Sequence, residues 1–176
     1  AILYRTNYQS RTFEEQMLKD NIPYKIYGGM SFYQRKEIKD VIAYFRLVVN
    51  HHDEEAFRRI INYPARGIGD TTVNKIVAGA QERNVSLWTV AQNPLAYGVE
   101  INKGTINKLS LFCQMIEGFS QRLNTDDVYE LGKDIIKMSG ITADIYSGTN
   151  ADDTSRQENL EELVNSMQDF VEDGRE

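Results

Sequence analysis

The chain is poor in the residues that form disulfide bonds and metal centres. It has one cysteine and two histidines, so no intramolecular disulfide can form. Cys113 lies in a helically spaced apolar pattern, which predicts a buried thiol. His51 and His52 are adjacent, with neither a cysteine partner nor a His-x-x-x-His spacing. They therefore favour a surface loop, and the sequence predicts no metal site.

Long apolar segments are also missing. No apolar run is long enough to span a membrane, and no signal peptide is recognisable. Hydrophobic residues nevertheless make up 41% of the chain, which is enough to form a core and excludes global disorder. These features predict a cytoplasmic protein that has no membrane partner.

Residue patterns that support catalysis are absent. No Gly-x-x-x-x-Gly-Lys-Ser/Thr loop occurs, and the pair Gly28-Gly29 lacks the lysine that binds phosphates. Adjacent acids such as Asp126 and Asp127 point apart on a helix and form no acid/base pair. No serine or cysteine can be matched with a histidine and an acid. The sequence therefore predicts a binding module without catalytic residues or a bound cofactor.

The charge is unevenly distributed along the chain. The net charge is -6, and it divides into +3 over residues 1–85 and -9 over residues 86–176. An acidic total can still contain a local cationic surface. We therefore expect any contact with nucleic acid in the first half, and a solvated acidic face in the second.

Apolar spacing predicts a mainly α-helical fold after a short α/β start. Residues 1–4 and 24–27 are typical of strands, with a helix between them. The composition changes near residue 28, so we expect a partial α/β segment at 1–28 and a helical region at 29–176. The predicted helices cover residues 34–49, 54–62, 70–83, 86–91, 105–123, 125–139 and 156–173, with loops at 95–104 and 147–154.

The stretch Arg66-Gly67-Ile68-Gly69 lies between two of these helices and suggests a helix-hairpin-helix. Pro64 would end the first helix, and Asp70 or Thr71 would cap the second. Glycines allow a tight turn and close approach of another surface, while free amides at a helix start can bind a phosphate. A plain turn between packed helices is the alternative. Candidate DNA-contacting residues are Arg66, Gly67, Ile68, Gly69, Thr71, Thr72 and Lys75.

Cations near this stretch favour the DNA-binding interpretation. Arg58 and Arg59 precede the glycines, and Lys75 follows them.

A second glycine-containing stretch lies at residues 98–104. It has lost the Gly-x-Gly spacing, so it predicts a second hairpin only weakly.

A second candidate site follows the first predicted strand. Arg5, Thr6 and Asn7 lie at its carboxyl end, where open α/β sheets commonly bind ligands. A loop that caps the next helix is the alternative. Because the chain starts without methionine inside this strand, we expect a piece of a longer protein.

Four stretches together resemble the UvrD/PcrA/Rep-type superfamily 1 DNA helicases, in that family's order. They are LYRTNYQSR (3–11), YKIYGGMSFYQRKEIKD (24–40), RIINYPARGIG (59–69) and SRQENLEEL (155–163). The resemblance implies that residues 1–28 belong to the RecA-like motor domain 2A, and that residues 29–176 form most of the helical subdomain 2B.

The resemblance also implies functional roles. Arg5 would contact single-stranded DNA, and the glycine hairpin would contact duplex DNA near the junction. The longer protein would use ATP and Mg²⁺ to unwind DNA in the 3′-5′ direction during repair or replication. This chain would be inactive alone, because the Walker motifs are missing. Repair or replication proteins are further expected partners.

Two alternative functions remain open at this point. The region could be a regulatory or partner-binding subdomain of the helicase, since its acidic second half could dock a protein. It could also belong to a RecB- or AddA-like helicase-nuclease.

Overall fold

The computed structural model describes residues 30–173, and the side chains of residues 32–172. This part contains nine α-helices, one 3-10 helix and no strand. The helices are α1 (Met30–Gln34), α2 (Lys36–Val49), α3 (Glu54–Ile60), α4 (Asp70–Arg83), α5 (Leu87–Gln92), the 3-10 helix (Pro94–Tyr97), α6 (Lys103–Gln121), α7 (Val128–Met138), α8 (Ile141–Ile145) and α9 (Ala151–Asp173).

The mainly helical prediction is confirmed, while the predicted α/β segment at 1–28 lies outside the described residues. The candidate residues Arg5, Thr6 and Asn7 lie outside them as well.

Helix α2 is the centre of the core. It packs against α1, α3, α6, α7 and α9, so apolar side chains are needed around most of its circumference. Apolar spacing over residues 34–49 predicts an inward face, which consists of Ile38, Val41, Ile42, Phe45 and Val48. This prediction is confirmed, because all five side chains are buried, and Tyr44 and Leu47 are fully buried in addition.

Besides α9, which is described below, four helices begin at a side chain that accepts a hydrogen bond from a backbone amide. Asp53, Ser86, Asn102 and Asp127 cap α3, α5, α6 and α7 in this way. The sequence predicts Ser86 as the cap of the helix at 86–91, and this prediction is confirmed. It also predicts Thr125 as the cap of the helix at 125–139, which is wrong, because Asp127 accepts from the amide of Glu130 instead.

Helix α4 begins differently from these four. Its N-cap is Gly69, which has no side chain to accept a hydrogen bond. The expected cap by Asp70 or Thr71 is therefore wrong, since both residues lie inside the first turn.

The predicted loop at 147–154 is partly wrong. Helix α9 begins at Ala151, because the Asn150 side chain accepts from the amide of Asp153 and the Asp153 carboxylate accepts from that of Asn150. Polar residues that suggested a loop thus form a reciprocal helix cap. The short helices α1 and α8, and the 3-10 helix within the expected loop at 95–104, also went unpredicted.

The hydrophobic core contains both the single cysteine and the single tryptophan of the chain. Cys113 is buried as predicted. The apolar neighbours of Trp88 at helical spacing also predict a core position, and Trp88 is buried as well. Burial raises the pKa of the Cys113 thiol to about 12, so the thiol stays protonated.

Within residues 30–173, no group of three histidine, cysteine or acidic side chains is arranged to hold a metal. None of the described helices is both long enough and apolar enough to cross a membrane.

Candidate nucleic-acid interface

Residues 61–69, called the glycine loop below, connect α3 to α4 and fold around one side chain. The Asn62 amide oxygen accepts from the backbone amides of Arg66 at 2.9 Å and Ile68 at 3.1 Å. Ile68 is only 1% exposed and anchors the loop in the core. Asn62 was missed as a structural residue, because no sequence pattern distinguishes it from an ordinary helix-end asparagine.

Gly67 is required by the fold for two reasons. Its φ of +78° lies in the left-handed region, which side chains disfavour. A Cβ atom at this position would also lie 2.6 Å from Nζ of Lys108. The Lys108 side chain therefore lies directly beside the loop.

Gly69 is required for neither reason. Its φ of -82° and ψ of 174° are extended and open to any residue, and a Cβ atom there would meet nothing within 4 Å. The backbone at Gly69 is consequently open to close approach from outside. This open surface lies directly at the start of α4.

The first turn of α4 presents backbone donors without protein acceptors. The amides of Asp70, Thr71 and Thr72 form no hydrogen bond within the described residues. Asp70 and Thr71 are exposed and Thr72 is half-buried. Unpaired amides at a helix start, together with the helix dipole, attract an anion. The Asp70 carboxylate lies in this turn and opposes that attraction.

Arg66 points inward and not toward solvent. One guanidinium nitrogen donates to the carbonyls of Ile60 at 2.5 Å and Ile61 at 2.8 Å, and the other to the Tyr44 hydroxyl at 2.5 Å. The guanidinium carbon also lies 4.8 Å from the ring centre of Phe112. Arg66 thus satisfies carbonyls at the end of α3 and holds the loop, and this geometry provides no direct phosphate contact.

The remaining predicted cations differ in their surroundings. Arg59 pairs with the buried Asp40 carboxylate at 2.8 Å, and Lys75 donates to the Glu100 carbonyl at 3.2 Å while staying exposed. Arg58 is exposed without a hydrogen bond or ion pair in the described chain.

Lys108 is the cation that the sequence analysis missed. It is exposed and forms no hydrogen bond or ion pair with any described residue. It comes from α6, which is distant in sequence from the loop, and no local pattern links the two. Only the packing of α6 against α2 places it beside Gly67.

A tyrosine network ties the glycine loop to other helices. Tyr44 donates to the carbonyl of Tyr63 at 2.5 Å, and the Tyr63 hydroxyl donates to Asp144 at 2.8 Å. Arg156 of α9 lies 3.7 Å from the same carboxylate. Burial raises the pKa of both tyrosines, and the hydrogen bond to Asp144 adds to the shift at Tyr63. Both therefore remain neutral donors that fix the loop backbone.

The structure thus brings most of the sequence-predicted residues together. Arg66, Gly67, Ile68 and Gly69 form the end of the loop, Thr71 and Thr72 form the first turn of α4, and Lys75 lies one turn further on.

Comparison with known proteins gives one family. The family model described as the UvrD-like helicase C-terminal domain matches residues 1–176. The chain is 37% identical over 170 residues to DNA helicase II of Salmonella typhimurium, covering 97% of this chain and 24% of that protein. It is 36% identical over 172 residues to the ATP-dependent DNA helicase PcrA of Staphylococcus epidermidis, covering 98% of this chain and 23% of that protein. The chain therefore spans about a quarter of the length of these relatives.

Proposed function

Because the chain belongs to the UvrD-like helicase C-terminal domain family, we propose that it forms the duplex- and junction-binding region of an ATP-dependent 3′-5′ DNA helicase. Residues 29–176 correspond to most of subdomain 2B, and residues 1–28 to part of motor domain 2A. ATP and Mg²⁺ bind the longer protein at residues beyond this chain, which is inactive alone. Arg5, Thr6 and Asn7 contact single-stranded DNA in the complete motor.

The observation that carries the proposal is the open start of α4. Three unpaired amides lie next to Gly69, where an added Cβ atom would meet nothing within 4 Å. A DNA phosphate fits this position because it is an anion that can approach a bare backbone closely. The exposed ammonium of Lys108 lies beside Gly67 and adds a positive charge to the same site.

The roles of the residues divide into contact and support. The backbone at Gly67 and Gly69 and the first turn at Thr71 and Thr72 contact phosphate oxygens. Lys75 and Lys108 supply cations. Arg66 and Ile68 act as positioning residues, because their side chains hold the loop from inside.

Binding of this kind reads the backbone and not the bases. Amides and ammonium groups recognise phosphate, which carries no sequence information. Because the net charge of the chain is -6, DNA binds weakly except where a local cationic surface contacts its phosphates. The affinity falls steeply as the salt concentration rises.

The test is fluorescence anisotropy on a labelled duplex with a 3′ single-stranded tail, across a salt series. Lys108→Ala should weaken binding several-fold at low salt and reduce the salt slope by about 1, since one phosphate contact is lost. Lys137→Ala is the matched control, because Lys137 is also exposed without a hydrogen bond or ion pair among the described residues. It should bind like the wild type.

A second duplex of unrelated sequence should bind with the same affinity. Equal effects of the two lysine variants, or a strong dependence on base sequence, would contradict the proposed backbone contact at the glycine loop.

A further inference from the structure

Two helices from the far end of the sequence hold the outer side of the glycine loop. The Tyr63 hydroxyl donates to Oδ2 of Asp144, on α8, at 2.8 Å. The Nη2 atom of Arg156, on α9, lies 3.5 Å from the same hydroxyl oxygen and 3.7 Å from the same carboxylate oxygen. We call Tyr63, Asp144 and Arg156 the loop clamp. It joins the loop to residues that follow Tyr63 by 81 and 93 positions in the sequence.

The loop also packs directly against the start of α8. Gly140 immediately precedes α8, and a Cβ atom there would lie 3.5 Å from Cγ of Pro64. On the inner side of the loop, the Tyr63 carbonyl accepts a hydrogen bond from the Tyr44 hydroxyl of α2. Tyr63 is therefore held on both sides, with its backbone bonded to α2 and its side chain bonded to the loop clamp.

Asn62 connects this held part of the loop to the proposed phosphate position. Its amide oxygen accepts from the backbone amides of Arg66 and Ile68. Ile68 directly precedes Gly69, which is the N-cap of α4. Because Asn62 and Tyr63 are neighbours in the chain, a displacement of the Tyr63 backbone also moves the side chain around which the loop folds. The loop clamp can therefore influence the start of α4.

We propose that Tyr63 is a further positioning residue for the phosphate contact, because the loop clamp holds the glycine loop in the conformation that presents the free amides of α4 to DNA. This role depends on the proposed function, since it concerns the same phosphate position. A loop that is ordered before DNA binds loses less conformational entropy on binding, so its affinity for DNA is higher. The Tyr63 hydroxyl already bonds Asp144, so it acts on the loop and not on the phosphate.

The first test is duplex affinity measured by anisotropy, across the same salt series as for Lys108→Ala. Tyr63→Phe removes the hydroxyl and keeps the ring. It should weaken binding about fivefold with an unchanged salt slope, because no phosphate contact is lost. Tyr146→Phe is the matched control, since the Tyr146 hydroxyl also donates to a carboxylate at 2.8 Å, that of Glu161 on α9. The control should bind within twofold of the wild type.

A second readout separates positioning from a general loss of stability. It compares ¹H–¹⁵N NMR spectra of the ¹⁵N-labelled 176-residue chain without DNA. Tyr63→Phe should shift the amide resonances of Gly69, Thr71 and Thr72, which belong to the proposed phosphate position. Tyr146→Phe should leave these three resonances unchanged, although it removes the same chemical group.

Substitutions of the hydrogen-bond partner test the loop clamp from its other side. Asp144→Asn keeps an oxygen that can accept from Tyr63, so it should retain more duplex affinity than Asp144→Ala. The double variant Tyr63→Phe/Asp144→Ala should bind no more weakly than Asp144→Ala, because both changes remove the same hydrogen bond.

The failure of this inference differs from the failure of the proposed function. A wild-type chain that binds duplex DNA no more tightly than Tyr63→Phe, or equal losses in Tyr63→Phe and Tyr146→Phe, would overturn the positioning role alone. A salt slope reduced by about 1 in Tyr63→Phe would also overturn it, because the hydroxyl would then be a phosphate contact. Absence of salt-dependent duplex binding by the wild type would overturn the proposed function as well.

Discussion

Arg66 links the glycine loop to the two helices that precede it and to the aromatic core. Its guanidinium donates hydrogen bonds to two carbonyls at the end of α3 and to the Tyr44 hydroxyl. An arginine in a glycine motif suggests a phosphate contact when only the sequence is known. The direction of its side chain depends on α2 and α6, which the local sequence does not specify. Substitution of Arg66 therefore tests loop stability and DNA binding together.

Arg66→Ala should lower the free energy of unfolding by about 2 kcal/mol, because hydrogen bonds to a charged group are lost and buried acceptors remain unpaired. Urea denaturation followed by circular dichroism measures this change. Arg58→Ala removes an exposed arginine with no described partner, so it should change stability by less than about 0.5 kcal/mol. Equal stability of the two variants would contradict the inward role of Arg66.

At the scale of elements, helical spacing predicted the long helices and their buried faces well. Burial of apolar side chains determines these faces, so their period is visible in the sequence. The caps were harder to predict, because Thr125 and Asp127 are both suitable cap residues and packing selects between them. Short helices such as α8 have too few residues to show a period, and polar cap residues before α9 resembled a loop.

The turn between α2 and α3 is held to two other helices by His51. Its ring stacks on Trp88 of α5, with ring centres 4.4 Å apart, and its Nε2 atom lies 2.7 Å from the Ser120 hydroxyl of α6. That hydroxyl donates its hydrogen to the carbonyls of Val48 and Ile116, so it accepts a hydrogen bond from the Nε2–H of His51. A neutral ring that carries its hydrogen on Nε2 can donate this hydrogen bond.

Acidification should destabilise the protein through His51. Burial lowers the pKa of His51, with a smaller lowering by His52 and an opposing effect of Glu117. In the unfolded state His51 has a pKa of about 6.5, so near and below that pH the unfolded state binds more protons than the folded state. The free energy of unfolding therefore falls as the pH drops from about 6.5 toward the lower pKa of the folded state. The melting temperature should fall more between pH 7.5 and 5.5 in the wild type than in His51→Gln.

Gln at this position keeps an N–H donor but does not titrate, so the difference between the two proteins isolates the histidine. Burial raises the pKa of Asp40, which works in the opposite direction, but Asp40 is present in both proteins and cancels. An identical pH dependence in both proteins would show that His51 does not titrate in this window.

At the scale of the whole molecule, the candidate site combines near and distant parts of the chain. The glycine loop and the start of α4 are contiguous, so the sequence predicted them together. Lys108 comes from α6 and reaches the loop only through tertiary packing, so the sequence could not predict it. The family resemblance predicted from four stretches is confirmed by a family match over residues 1–176. The contacts of this region with DNA stay a prediction.

The central claim is that the open start of α4 binds DNA phosphate, and Gly69→Asp tests it most directly. An aspartate at this extended N-cap position can accept from the free amides, which should preserve or slightly raise the melting temperature. The same carboxylate occupies the proposed phosphate position and repels the DNA. Gly118→Asp is the matched control, because Gly118 of α6 is exposed and a Cβ atom there also meets nothing within 4 Å.

The measurement compares duplex affinity by anisotropy at low salt with the melting temperature of each protein. We predict that Gly69→Asp lowers the affinity at least tenfold without lowering the melting temperature, while Gly118→Asp changes the affinity less than twofold. A stable Gly69→Asp protein that binds DNA like the wild type, or equal losses in both variants, would contradict the account.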